Sequence, residues 1–178
     1  MANAVGTFPP VVEHDRGSAL RFRREEQRAI AQEWLEDTLA AYPSSTSQFL
    51  ARERDPFHNP IGRVLREHVP ALTAELLGSM EKGRIAAALE PIVRIGAVQD
   101  VDASRVVGFV FRLKRILRAR WQGRDEDLRI VDARIDDAAL LAFDLFVRCR
   151  EQIYAVKADE ARRRVAQLER IYLGVDRR

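Results

Sequence analysis

The side chains that most often carry out catalysis are few in this sequence, and their spacing favours no reaction. The one cysteine, Cys149, lies in a stretch predicted to be helical and has no histidine near it. A reactive thiolate needs a neighbouring base and an electropositive, accessible environment. The sequence also lacks a glycine-rich phosphate-binding loop and the GxSxG motif of hydrolases. We therefore predict that Cys149 is packed rather than reactive and that the protein is not an enzyme.

The three histidines, His14, His58 and His68, do not have the spacing of metal ligands. A haem would need a proximal histidine that faces an apolar cavity, and His68 is the one candidate on a predicted helix. Its neighbours Arg66 and Glu67 are charged, which indicates a surface position. We therefore expect no catalytic, cofactor-binding or metal-binding residues, and no cofactor.

Asp144 lies within an otherwise apolar run at 140–146. A buried carboxylate must be paired with a charge or become neutral. Lys114 or Arg112, on the preceding predicted helix, could supply that charge. Two interpretations stay open, namely a salt bridge between helices and a polar group that faces a ligand pocket or a dimer seam.

Four basic residues fall on one face of the same predicted helix: Arg105, Arg112, Arg115 and Arg118. The whole chain has 30 basic and 27 acidic residues, a formal net charge of +3, so its acids are spread among its bases. No stacking aromatics alternate with these arginines, and no helix-turn-helix pattern surrounds them. The pattern favours a solvated helix face, with nucleic-acid contact as the alternative.

Helices must position all of these side chains, because no alternating strand pattern of useful length is present. Apolar residues recur at three- and four-residue steps over 24–42, from 60 to about 77, and from 102 or 104 to about 121. Pro70 predicts a kink or a break in the second helix, and Pro91 predicts the start of a further helical segment after 84–89. The sequence therefore predicts an all-α bundle that forms one domain over 23–174, with a flexible N-terminal tail at 1–22 and a C-terminal tail at 175–178.

No proline or glycine interrupts the sequence from 125 to about 172. A continuous helix of this length would span roughly 70 Å at ~1.5 Å per residue, which exceeds the width of a domain of this size. The helix must either break into a hairpin near 155–159 or project and find a partner. An uncapped helix this long favours coiled-coil pairing, and we expect a homodimer.

No segment approaches the ~20 apolar residues of a membrane span, and residues 1–15 lack the pattern of a secretory signal. A single cysteine cannot form an internal disulfide, which fits a reducing compartment. We expect a cytoplasmic protein without a membrane partner.

Several short strings occur together in the order and spacing of one known family. They are Trp34-Leu35, Tyr42-Pro43, the DPFHNPIG string at 55–62, AVQD at 97–100, the string at 104–114, Ala142-Phe143-Asp144 and REQIY at 150–154. Together they resemble the N-terminal domain of the RsbRD-type co-antagonists of the RsbT kinase, over residues 30–170. The DPFHNPIG string is the most specific of them.

The resemblance implies an all-α sensory domain related to the haem-free, globin-like modules of stressosome proteins. Such domains are dimers that feed a C-terminal helix into a STAS output domain. Too few residues follow the resemblance here for a STAS domain, so only the sensor and dimerisation functions carry over. We therefore expect a non-catalytic sensor or regulatory domain that dimerises and relays a signal to a protein partner. The alternatives are a ligand-free protein-binding adaptor and a nucleic-acid-binding helical protein.

Five residues of these strings are candidates for a polar pocket or for a structural motif. Asp55 and Asn59 each precede a proline and are expected to fix a tight turn between helices. Gln99, Lys114 and Asp144 lie beside apolar runs and could meet in one pocket.

Overall fold

The computed structural model describes residues 22–42, 44–53, 55 and 57–175, and within these ranges the chain forms helices and no strand. The helices are α1 (Arg24–Ala40), α2 (Ser44–Arg52), α3 (Pro60–Leu76), α4 (Lys82–Val98), α5 (Ala103–Arg120) and α6 (Asp125–Val175). The expected all-α fold with a long C-terminal helix is therefore confirmed.

The two predicted tails lie almost entirely outside the described residues. Of the residues assigned to them, Phe22 packs against Trp121 with 5.7 Å between ring centroids, and Val175 is the last residue of α6.

One apolar core is shared by α1, α3, α4, α5 and the first part of α6. Trp34 of α1 is fully buried, stacks on Phe109 of α5 at 5.6 Å between centroids, and donates from Nε1 to the Phe109 carbonyl at 2.8 Å. Burying side chains of this size stabilises a fold by about 1.5–3 kcal/mol each. This contact therefore holds α1 against α5 in a fixed position.

Two prolines lie inside helices without interrupting them. Helix α3 continues through Pro70, and α4 continues through Pro91, so the predicted break and the predicted helix start at Pro91 are wrong. A proline removes one backbone hydrogen bond to the residue four positions earlier. Pro70 lies on an exposed face of α3. Pro91 leaves the carbonyl of Ala87 without its helical donor, and Ala87 is exposed. Water can therefore satisfy the groups that the prolines release.

Helix α6 is continuous over 51 residues, which corresponds to about 77 Å. Residues 125–153, the packed half, lie along α4 and α5 and bury one face. In residues 154–175, the projecting half, every side chain from 154 to 172 is exposed. Of the two expected outcomes for this helix, the structure shows the projecting end and not the hairpin.

Candidate functional site

The DPFHNPIG string forms a closed structural turn between α2 and α3. Asn59 is buried, and its Nδ2 donates to the carbonyls of Leu50 at 2.8 Å and Glu53 at 2.9 Å. Its Oδ1 accepts from the Gly62 backbone N–H at 2.8 Å, which caps α3. A Cβ on Gly62 would lie 2.4 Å from Asn59 Nδ2, so only glycine fits there. Asn59 thus uses its amide to hold the turn.

Asp55 has a similar structural role at the start of the same turn. Its carboxylate accepts from the Phe57 backbone N–H at 2.8 Å and lies 2.9 Å from His58 Nδ1. The hydrogen bonds from Phe57 and His58 hold the pKa of Asp55 below its usual range. The hydrogen bonds of Asp55 and Asn59 thus lie within the turn, and neither residue lines the cleft described below.

The structure does not bring Gln99, Lys114 and Asp144 together. Gln99 is exposed at the C-terminal end of α4, and Lys114 Nζ forms an ion pair with Asp136 at 2.7 Å. Asp144 is exposed on α6. The apolar run around Asp144 belongs to a helix with apolar residues on two faces, so lying within that run does not bury the carboxylate.

Three of the four arginines that the sequence places on one face of α5 pair with acids from the neighbouring helices. Asp37 of α1 pairs with Arg115 and, at 2.9 Å, with Arg112. Arg118 pairs with Asp132 of α6 at 2.6 Å. The basic face that the sequence indicated is therefore partly neutralised, which weakens the nucleic-acid alternative, since such binders concentrate unpaired positive charge.

A cleft of about 580 Å³ lies between α1, α3, α4 and α5, and no pattern in the sequence indicated it directly. Its apolar wall includes Ile61, Leu65, Ile92, Ile95, Val101, Val106, Phe109 and Phe111. Its polar lining consists of Thr38, Tyr42, Ser104, Arg105, Arg112 and Arg115. This combination of apolar walls with a few convergent polar groups is typical of small-molecule sites.

Two glycines shape this cleft in opposite ways. A Cβ on Gly96 would lie 2.6 Å from Val106 Cγ2, so glycine lets α4 and α5 approach closely there. A Cβ on Gly108 would meet no atom within 4 Å. Glycine inside a helix costs about 0.5–1 kcal/mol relative to alanine. No close contact requires glycine at 108, and its effect is to leave the cleft open.

Three hydroxyl groups line the cleft, those of Thr38, Tyr42 and Ser104. Thr38 is 5% exposed, and its Oγ1 has no hydrogen-bond partner among the described residues. A buried unsatisfied group of this kind costs about 1–3 kcal/mol. Burial raises the pKa of the Tyr42 phenol, while the nearby Arg105 guanidinium opposes the rise. The Tyr42 phenol therefore stays protonated at neutral pH and can donate a hydrogen bond.

A second candidate surface is an apolar stripe along the exposed side of α6. Leu140, Val147, Tyr154 and Leu168 recur at multiples of seven residues and are 37–65% exposed. In the projecting half, Ala158, Val165 and Tyr172 run beside them in a second seven-residue series. The α6 stripe, as we call these seven residues with Ala161, has the spacing of a coiled-coil seam.

The described residues show neither a metal cluster nor a membrane-spanning helix. No three His, Cys, Asp or Glu side chains lie close enough there to hold a metal ion. Cys149 is a buried free thiol, as predicted. Nor does any helix in these ranges combine the length and apolar character that crossing a membrane would require.

Comparison with known proteins gives one match. The family model described as the RsbT co-antagonist protein rsbRD N-terminal domain matches residues 28–163. No curated protein and no solved structure matches the chain. The matched range contains the closed turn, the cleft and the packed half of α6, and it ends inside the projecting half.

Proposed function

The chain belongs to the family of RsbT co-antagonist RsbRD N-terminal domains, and we propose that it is a non-catalytic module that dimerises through the α6 stripe and relays a signal to a protein partner. The family is one of regulatory domains, and the match covers the larger part of the folded chain. Dimerisation and relay go beyond the family assignment. The observation that carries them is the uncovered seam along α6.

The spacing of the projecting half supports pairing with a second helix. Its apolar side chains follow alternating steps of four and three residues: Tyr154, Ala158, Ala161, Val165, Leu168 and Tyr172. These are the core positions of a two-stranded coiled coil, which needs a partner because one helix cannot bury its own seam. Val165, Leu168 and Tyr172 are 53–75% exposed in the single chain. A second copy of α6 would cover them.

We propose that the two helices run parallel. With Ala158 and Val165 as core positions, Arg164 precedes and Glu169 follows one core pair, so each Arg164 meets the Glu169 of the other helix. Lys157 and Arg162 flank the preceding core pair in the same way and face each other with like charge. The flanking charges therefore do not set the direction by themselves, and the cross-linking experiment below tests it.

The continuity of α6 supports a relay from the bundle to the seam. Its packed half lies on α4 and α5, and its projecting half carries the coiled-coil spacing on the same uninterrupted helix. A shift of α4 or α5 therefore changes the rotation or position of the projecting half. A ligand or partner that binds one arrangement more tightly would bias the dimer towards that arrangement.

Sedimentation equilibrium of the whole chain tests the dimer. We expect about twice the 20.3 kDa chain mass for the unaltered protein and one chain mass for the double substitution Val165→Asp with Leu168→Asp. Arg163→Asp places an aspartate in the same turn but on the outer face of the helix, and it should leave the dimer intact. A monomeric unaltered protein at high concentration, or a dimer that survives both seam substitutions, would refute the proposal.

The adaptor alternative makes a different prediction for the same experiment. If the α6 stripe binds a helix of another protein, the chain alone would remain monomeric at high concentration, since the partner helix that buries the stripe is absent. The expected cytoplasmic location stays a prediction.

A further inference from the structure

We propose that the cleft between α1, α3, α4 and α5 binds a small organic anion, with an apolar body on the inner wall and its anionic group at Arg105. This deepens the proposed function, because it names the class of molecule that the regulatory domain would sense, and in that respect it rests on that function. Binding itself is independent of whether the chain dimerises.

The size and walls of the cleft fit an apolar body. Its volume of about 580 Å³ lies within the range of about 300–1,000 Å³ that is usual for small-molecule sites. Side chains from three helices form its wall, among them Leu65, Ile92 and Phe109, whose own positions are fixed because each is buried. Gly108 leaves open space where any other residue would place a side chain. The cleft is therefore preformed rather than a loose gap between helices.

The charge at the rim fits an anion. Arg105, Arg112 and Arg115 all line the cleft, and Asp37 neutralises part of the charge of the last two. Arg105 lies in the first turn of α5, where the helix dipole also favours negative charge. The Asp102 side chain, at the N-cap position, makes no capping hydrogen bond to that turn. The rim therefore keeps a net positive charge beside an apolar wall.

Polar groups at the cleft would fix the orientation of such a ligand. Tyr42 and Arg105 both line the cleft, and the phenol and the guanidinium are both hydrogen-bond donors. Thr38 lines the same cleft with a buried hydroxyl that lacks a hydrogen-bond partner among the described residues. Carboxylates and phosphate monoesters share the chemistry that these donors recognise.

The position of the cleft connects it to the rest of the molecule. Its walls include α4 and α5, the two helices on which the packed half of α6 lies. A ligand between them would favour one spacing of α4 and α5, and thus one arrangement of α6. Ligand binding and dimer arrangement should then be coupled in both directions.

Isothermal titration calorimetry of the whole chain with three eight-carbon probes tests the site: octanoate, octyl phosphate and octanamide. We expect one saturable site per chain for octanoate or octyl phosphate, with octanamide at least about tenfold weaker because it lacks the charge that Arg105 recognises. Whichever anion binds more tightly identifies the class of the anionic group.

Substitutions place the binding in the cleft. Arg105→Gln should weaken binding of the anion about five- to tenfold and leave octanamide unchanged, whereas Arg94→Gln, on an exposed arginine away from the cleft, should change neither. Gly108→Leu should abolish binding of all three probes, because Gly108 lines the cleft and a Cβ there enters open space, so the leucine side chain would occupy the cleft. Ala87→Leu adds the same side chain on an exposed position of α4 and should not affect binding. Circular dichroism melting checks that Gly108→Leu remains folded.

Three results would overturn the proposal: no saturable binding of either anion, equal affinity for octanamide, or binding that survives Gly108→Leu in the folded variant. None of these results bears on the mass measured by sedimentation. If no probe binds but sedimentation shows a dimer, the proposed function stands and the ligand site is wrong. If a probe binds but the protein sediments as a monomer, the ligand site stands and the proposed dimer is wrong.

Discussion

The two halves of α6 have the same amphipathic spacing, but they differ in what covers their apolar residues. In the packed half, Val131, Ile135 and Ala142 are completely buried against the bundle. In the projecting half, Val165 and Leu168 have comparable character and spacing and remain more than half exposed. The pattern predicts the helix in both places, and the described part of the chain covers the apolar residues of only one of them. The proposed dimer would cover the other.

The largest expected effect separates the two halves by their contribution to folding. Ile135→Ala creates a cavity in the packed half and should lower the free energy of unfolding by about 2–5 kcal/mol. Leu168→Ala in the projecting half should change it by no more than about 0.5 kcal/mol when measured at a concentration that keeps the chain monomeric. Urea denaturation followed by circular dichroism gives both values. Equal losses for the two variants would contradict the contrast.

A smaller effect concerns a buried charge in the packed half. Arg134 is 8% exposed, and its Nη1 donates to the carbonyls of Leu76 at 3.3 Å and Gly78 at 3.0 Å. Arg134→Ala should lower the free energy of unfolding by about 1–3 kcal/mol, because those carbonyls lose their donor. Arg163→Ala in the projecting half serves as the control and should have no measurable effect. The same urea experiment decides this prediction, and an unchanged Arg134→Ala would count against it.

The smallest expected effect is a pH dependence at the junction of α3 and α4. Burial raises the pKa of Glu75, but hydrogen bonds from Ser79, the Glu81 N–H and Arg84 outweigh it and hold the pKa below its ordinary value of 4.5. Stability from this group is therefore present above pH 4.5 and is lost as the pH falls through the lower pKa of the folded state.

Thermal melts of Glu75→Gln and of the unaltered protein between pH 6 and pH 3 measure this contribution. The melting temperature of the variant should be lower at pH 6, and the difference should shrink as the pH falls. A difference that stays constant across this range would rule out a titrating contribution from Glu75.

The fold followed from the sequence because its helices are governed by local patterns. The apolar stripes of α1, α3 and α5 and the uninterrupted stretch of α6 predicted their bounds to within a few residues. The helix start predicted at Pro91 was wrong because proline is more common in the first turn of a helix than in its interior. Only the folded structure shows that the carbonyl left without a donor is exposed to water. The hydrogen bonds of Asp55 and Asn59 are local, so a turn motif in the sequence can indicate where they form.

The cleft and the environment of Asp144 did not follow from the sequence, because both depend on how helices pack. The helical spacing places Arg105, Arg112 and Arg115 on one face of α5. It does not show which helix lies opposite that face. Gly96 and Gly108 both lie within helices at the cleft, and only the packing shows that the first lets two helices approach and the second leaves open space. The exposure of Asp144 depends on α6 having two apolar faces, of which the bundle covers one.

Oxidative cross-linking at the seam tests the central claim most directly. In a parallel, in-register dimer, Ala161→Cys places two thiols face to face across the seam, whereas Arg163→Cys places them on opposite outer faces; the native Cys149 is buried and serves as an internal reference. We predict that mild oxidation links Ala161→Cys into a covalent dimer and leaves Arg163→Cys monomeric on a non-reducing gel. No cross-link at Ala161→Cys, or equal cross-linking at both positions, would contradict the account.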